Sequence, residues 1–209
     1  MLDQIVAIWE SYGGVYMEGL VGTIVLTLLT IVGASILGVV IALMRWSQVI
    51  LFALFARFYL WLLRGTPILL QLYFFWLFLP DLIPFELTDQ QTILIALIIN
   101  ASAYIAEIVR GGINAVPSGQ VEAAKSLGLS KRNIFGRIVF PQAIKNSLPA
   151  MGNQYVSILK QTSLASVFFV AELTTSYKTL QPATFFPSPA LDISGLIYLA
   201  LTAIFNQGF

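Results

Sequence analysis

Residues 20–44, LVGTIVLTLLTIVGASILGVVIALM, carry no charge. The run exceeds the roughly 20 apolar residues needed to cross a hydrocarbon core about 30 Å thick. Backbone in lipid must satisfy its own N–H and C=O groups, so the run is predicted to be a transmembrane helix. A secretory signal would place basic residues ahead of a shorter apolar stretch. The leader, residues 1–19, instead holds Asp3, Glu10 and Glu18 with no Lys or Arg, and is expected to be retained. A mean hydropathy of +0.86 with only 10% charged residues would leave a soluble fold unable to cover itself, so lipid is the solvent for much of the chain.

Further crossings follow from the interruptions in hydrophobicity. A long second helix is expected to begin near Val49, to bend at or restart from Pro67, and to leave the membrane near Pro80. A third, QQTILIALIINASAYIA, ends around Arg110. The longest polar segment, residues 111–146, comes next; a fourth crossing covers roughly residues 147–171 and a fifth roughly residues 193–205.

Charge placement orients these helices. With the N-terminus outside, the inner side receives Arg45, Arg57, Arg64, Arg110 and the basic segment, whose Lys125, Lys131, Arg132, Arg137 and Lys145 face one acid, Glu122. The outer side receives the acidic leader and Asp81, Glu86 and Asp89. Lys160 and Lys178 alone fall outside this sorting, which follows the excess of basic residues on cytoplasmic loops. The predicted fold is an all-α integral membrane protein of the cell membrane. It has five transmembrane helices, the N-terminus out and the C-terminus in, residues 1–19 as an extracytoplasmic segment and residues 20–209 as one transmembrane domain.

Composition also excludes chemistry. Cys and His are absent, which removes disulfides, thiol nucleophiles and the common zinc ligand sets. No catalytic residue and no metal site are predicted. The net charge of +1 gives no field that would gather nucleic acid. No G-x-x-x-x-G-K-[ST] loop is present to cradle ATP phosphates, so a chain that does work must draw its energy from a partner.

The basic segment carries the most informative pattern. Ser118 is placed to cap a short helix through Glu122, Ala123, Ala124, Lys125 and Leu127, with Gly128 as its stop. A second helical stretch over residues 131–139 precedes Pro141, which introduces the fourth crossing. A short helix standing off the membrane, with small Ala123 and Ala124 for close approach and Glu122 for an ionic contact, suits a lever pushed by another protein.

Glu122-Ala123-Ala124, Gly128, Ile138 and Pro141 have the spacing E-A-A-x3-G-x9-I-x-L-P, which resembles the EAA loop of ABC importer permeases, with Phe140 in place of the usual Leu. Arg64-Gly65-Thr66-Pro67 with Gln71, the segment NASAYIAEIVRGG from Asn100 to Gly112, and Lys160-Gln161-Thr162-Ser163-Leu164 resemble, in order, three further segments of the histidine and glutamine permease family of these importers. That resemblance implies the type I ABC importer permease fold with a cytosolic coupling helix in the basic loop. It implies two permease chains, identical or different, forming a pathway for polar amino acids. Two cytosolic ATPase subunits that bind ATP and Mg, and an extracytoplasmic solute-binding protein, would complete the machine. Contact with the ATPase is then expected at Glu122, Ala123, Ala124, Ser126 and Gly128, backed by Ile138 and Pro141. Relatives of this type commonly end in a basic tail after the fifth crossing, whereas this chain reads Phe205-Asn206-Gln207-Gly208-Phe209, either naturally short or truncated.

Polar residues inside crossings are functional candidates. Asn100, Tyr104 and Glu107, at i, i+4 and i+7, share one helical stripe. They either line the path or serve structure, with Glu107 paired to Arg110 and Asn100 joining helices. Lys160 either attracts a substrate carboxylate or pairs with Glu107 or Glu172 to hold a closed gate. Two competing readings remain at this point: a secondary transporter, for which paired midplane acids or symmetric broken helices would be required, and a membrane scaffold.

Overall fold

The computed structural model describes residues 2–207. Nine α-helices follow one another: α1 (Leu2–Trp46), α2 (Ile50–Gly65), α3 (Ile68–Leu82), α4 (Asp89–Asn114), α5 (Ser118–Ser126), α6 (Lys131–Ile134), α7 (Phe140–Gln161), α8 (Leu173–Thr184) and α9 (Pro187–Gln207). A π-helical turn, Phe135–Val139, joins α6 to α7, and a 3-10 segment, Thr162–Phe168, follows α7.

Three helices, α1, α4 and α9, are long and apolar enough to cross a membrane by themselves. Two bent pairs raise the number to five if each is one span: α2 with α3, at 112°, and residues 131–168 with α8, at 45°. The first crossing is longer than its uncharged run, because residues 2–19 enter the same helix. Ile8 and Tyr16 pack on Leu180 of α8 and Ile193 of α9, and the Tyr16 hydroxyl donates to the Ala190 carbonyl at 3.0 Å.

Helices α1 and α4 form the centre of the bundle, with Ala34 of α1 packed on Ala101 and Ile105 of α4 and Ile158 of α7. Small residues permit this approach, as lipid-solvated helices require. At Gly22 a Cβ would collide with the Ala171 carbonyl oxygen, so the start of α8 can lie directly on α1. The hydroxyls of Thr27 and Thr30 donate to carbonyls one turn back, at 2.7 Å each. Polar groups thus sit inside, while Leu28, Val32 and Ile36 face outward.

The second crossing is not one kinked rod. The chain restarts at Pro67, whose fixed φ and missing N–H suit the position before a first helical turn, and α3 leaves at 112° to α2. Gln71 holds the corner: its side-chain NH2 donates to the Leu63 and Thr66 carbonyls at 2.8 and 3.1 Å and contacts Thr66 Oγ1 at 2.6 Å.

One reading near the basic loop needs correction. Ser118 is the first residue of α5, preceded by Pro117, and makes no capping hydrogen bond; with Pro117 at the cap position, the turn is set by proline's φ instead. Pro141 sits in the first turn of α7, as expected, but the helix does not start afresh there. The chain is helical from Lys131 to Gln161, and the π turn, in which the Phe140 N–H donates to the Phe135 carbonyl, absorbs the register change just ahead of the proline. Helix α8 was not anticipated, and the fifth crossing starts at Pro187.

Candidate functional site

Helix α5 ends in a Schellman motif. Gly128 takes φ 73°, its N–H donates to the Lys125 carbonyl at 2.9 Å, and the Leu129 N–H donates to the Ala124 carbonyl at 3.1 Å. The stop anticipated at Gly128 is therefore a left-handed residue that glycine adopts without strain.

The two alanines of the motif face opposite ways. Ala124 is buried against Val116, Ile134 and Val139, which seats α5 on the π turn and the end of α4. Ala123, Glu122, Ser126 and Gly128 are exposed, and Glu122 joins no ion pair among the described residues. Ile138 is half-buried under the helix and Pro141 is exposed. The Gln142 side-chain NH2 donates to Gln120 Oε1 at 2.6 Å, a further tie between α5 and α7. The result is a short, closed helix with one face fixed to the crossing helices and one face open.

Within the bundle, the stripe on α4 splits by role. Asn100 is 1% exposed, and its side-chain NH2 donates to Gln71 Oε1 at 2.8 Å, so it fastens the α2–α3 corner to α4. Tyr104 is half-buried. Glu107 pairs with three arginines: Arg110 at 2.7 Å, Arg45 at 2.5 Å and Arg64 at 3.5 Å. The Glu107–Arg110 pair was anticipated from spacing; Arg45 and Arg64 arrive from other helices, which spacing along α4 does not reveal.

Among the described residues Lys160 forms no ion pair with Glu107 or Glu172. It is exposed in a cleft of 510 Å³ that it lines with Ser163, Thr174, Tyr198 and Thr202. Glu172 is fully buried and committed elsewhere. Its oxygens accept from the N–H groups of Thr174 and Thr175 at 2.8 and 2.7 Å, and from the hydroxyl of Tyr198 at 2.7 Å. It is the N-cap of α8. The signal for this role is local: an acid followed by Leu-Thr-Thr-Ser, where a carboxylate meets the orphan N–H groups of a helix start. Among the described residues no group of three or more His, Cys, Asp or Glu side chains is placed to hold a metal ion.

Residues 34–207 match the protein family described as "Binding-protein-dependent transport system inner membrane component". The chain belongs to this family. The octopine transport system permease protein of Rhizobium radiobacter is 35% identical, over 97% of this chain and 85% of its own length. An arginine transport system permease protein of Bacillus subtilis is 34% identical, over 90% of this chain and 86% of its own. Among solved structures, a crystal structure of an amino acid ABC transporter with histidines superposes with a TM-score of 0.89 at 36% identity, covering 94% of this chain and 92% of that one. An inward-facing MetNI methionine ABC transporter superposes with a TM-score of 0.75 at 15% identity, which speaks to the fold. This binding-protein-dependent permease is thus an inner-membrane transport component with the type I ABC importer permease fold, and not an enzyme. The family resemblance drawn from its four sequence segments agrees with that membership.

Proposed function

We propose that this permease forms half of the translocation pathway of an importer for polar amino acids, paired with a second permease chain. Cytosolic ATPase subunits carry the ATP and Mg, and an extracytoplasmic solute-binding protein delivers the solute. The N-terminus lies outside and the basic loop, residues 111–146, inside, giving five crossings with each bent pair counted as one. Relatives named for octopine and arginine support the polar amino-acid class.

The observation that carries the reading is the open face of α5. Glu122, Ala123 and Ser126 project from a helix whose other side, through Ala124, rests on the π turn leading into α7. A push on that face is transmitted to a crossing helix without passing through a flexible loop. Along the pathway, Lys160 offers an ammonium with no carboxylate partner among the described residues, in a cleft lined by hydroxyls. Asn100, Tyr104 and Glu107 frame the path from α4.

The test is disulfide crosslinking. The chain has no native cysteine, so Ala123→Cys and Ser126→Cys variants can be oxidised against single cysteines in the ATPase that co-purifies with the permease. Crosslinks at either position, modulated by ATP, are expected. Failure of every exposed position of α5 to crosslink in an assembled complex contradicts the docking.

A further inference from the structure

Between α1, α2 and α4 lies a second cleft, of 520 Å³, lined by Arg45, Arg57, Arg64, Arg110, Glu107 and Trp61. Four guanidinium groups there meet one carboxylate. Both oxygens of Glu107 are already engaged: Oε2 by Arg110 through two N–H groups, at 2.9 and 2.7 Å, and Oε1 by Arg45. Arg64 reaches the same oxygen only at 3.5 Å. Arg57 has no carboxylate partner among the described residues. The cleft therefore holds surplus positive charge and unspent, forked N–H donors, the arrangement that suits a phosphate group.

The surroundings say which phosphate. Helix α2 buries a narrow stripe, Ala53, Ala56, Leu60 and Leu63. Its remaining surface exposes Phe55, Phe58 and Leu62, together with Trp61, which is 71% exposed at the cleft. An arginine cluster opening beside a row of exposed aromatic and aliphatic side chains is amphipathic on the scale of one lipid, charged where a headgroup sits and apolar where acyl chains run. A free anion would gain nothing from the apolar side. Trp at such a border takes the headgroup level.

We propose that this cleft binds the phosphate headgroup of an anionic phospholipid of the inner leaflet. The leaflet rests on the orientation given under the proposed function; the headgroup chemistry does not. The lipid neutralises the surplus charge and pins α2 to α1 and α4 at the corner from which α3 departs.

Dioctanoyl phosphatidylglycerol, phosphatidylcholine of the same chain length and inorganic phosphate are titrated separately into the assembled, delipidated importer, with binding followed by calorimetry. Saturable phosphatidylglycerol binding is expected, with phosphatidylcholine at least tenfold weaker. Arg57→Gln should weaken phosphatidylglycerol about fivefold, the effect of one basic residue beside an anionic headgroup, and leave phosphatidylcholine unchanged. Because Arg57 holds no ion pair among the described residues, assembly should be intact. Equal binding of both lipids, or phosphatidylglycerol binding untouched by Arg57→Gln and by Arg57→Gln combined with Arg64→Gln, overturns the site. Inorganic phosphate binding as tightly as the lipid overturns the lipid in favour of a free anion. Leaflet is read separately, by labelling Gln48→Cys with an impermeant maleimide. Labelling in inverted vesicles alone supports the inner leaflet; labelling in intact cells alone overturns it and the orientation together.

Discussion

At position 107 one carboxylate faces Arg45, Arg64 and Arg110, with its side chain only 14% exposed. Removing its charge leaves three guanidinium groups without their shared counter-ion. Hydrogen bonds to charged groups contribute roughly 1.5–3 kcal/mol each. Glu107→Gln is therefore expected to destabilise the chain by about 2 kcal/mol, read as a thermal midpoint roughly 4–8 °C lower in detergent. Lys160 is the opposite case. It has no ion pair to lose among the described residues, so Lys160→Gln should leave the midpoint within about 1 °C while changing the uptake rate of the reconstituted importer. A matched loss of stability in both variants would contradict the division of these residues into frame and pathway. Both positions stand out in the sequence as charges inside apolar runs. Of the partners only Arg110 is legible, by its spacing; Arg45 and Arg64 meet Glu107 only after three helices have packed, and Glu172 is consumed by its own helix start.

Between elements, close approach at glycine decides the packing of α1. At Gly22 a Cβ would strike the backbone of Ala171, whereas at Gly14 it would meet nothing within 4 Å. Gly22→Ala is expected to cost about 1–3 kcal/mol through overpacking, and Gly14→Ala to be neutral or slightly stabilising through helix propensity. Comparing the two midpoints checks whether α8 lies on α1 as described; equal effects would contradict it. The uncharged run of residues 20–44, the start at Val49 and the stop at Gly128 were legible because each is written in adjacent residues. The break at Pro67 was legible as well, but its 112° angle, the extension of α1 back to Leu2 and helix α8 were not. The corner is held by Gln71 reaching back to Leu63 and Thr66 and across to Asn100, and the early turns of α1 are held by Leu180 and Ile193. Such long-range contacts override local periodicity. The π turn likewise follows from seating α5 on Ile134 and Val139 ahead of Pro141, a constraint that a reading of residues 131–139 alone does not contain.

As a whole, the molecule is arranged for two environments. Apolar side chains of α1, α2 and α3 face outward while Thr23, Thr27, Gln71, Asn100 and Glu172 lie within, the distribution that lipid imposes. At one end, α5 holds its exposed face clear of the bundle, and the chain has no nucleotide-binding loop. The central claim is that another subunit pushes on this face. Its most direct test is to tag the permease, purify it from its native membrane in mild detergent and identify what accompanies it. The account predicts recovery of an ATPase bearing the phosphate-binding G-x-x-x-x-G-K-[ST] loop, with or without a second, different permease. Recovery of the chain alone, still moving solute into liposomes under an ion gradient, would contradict it.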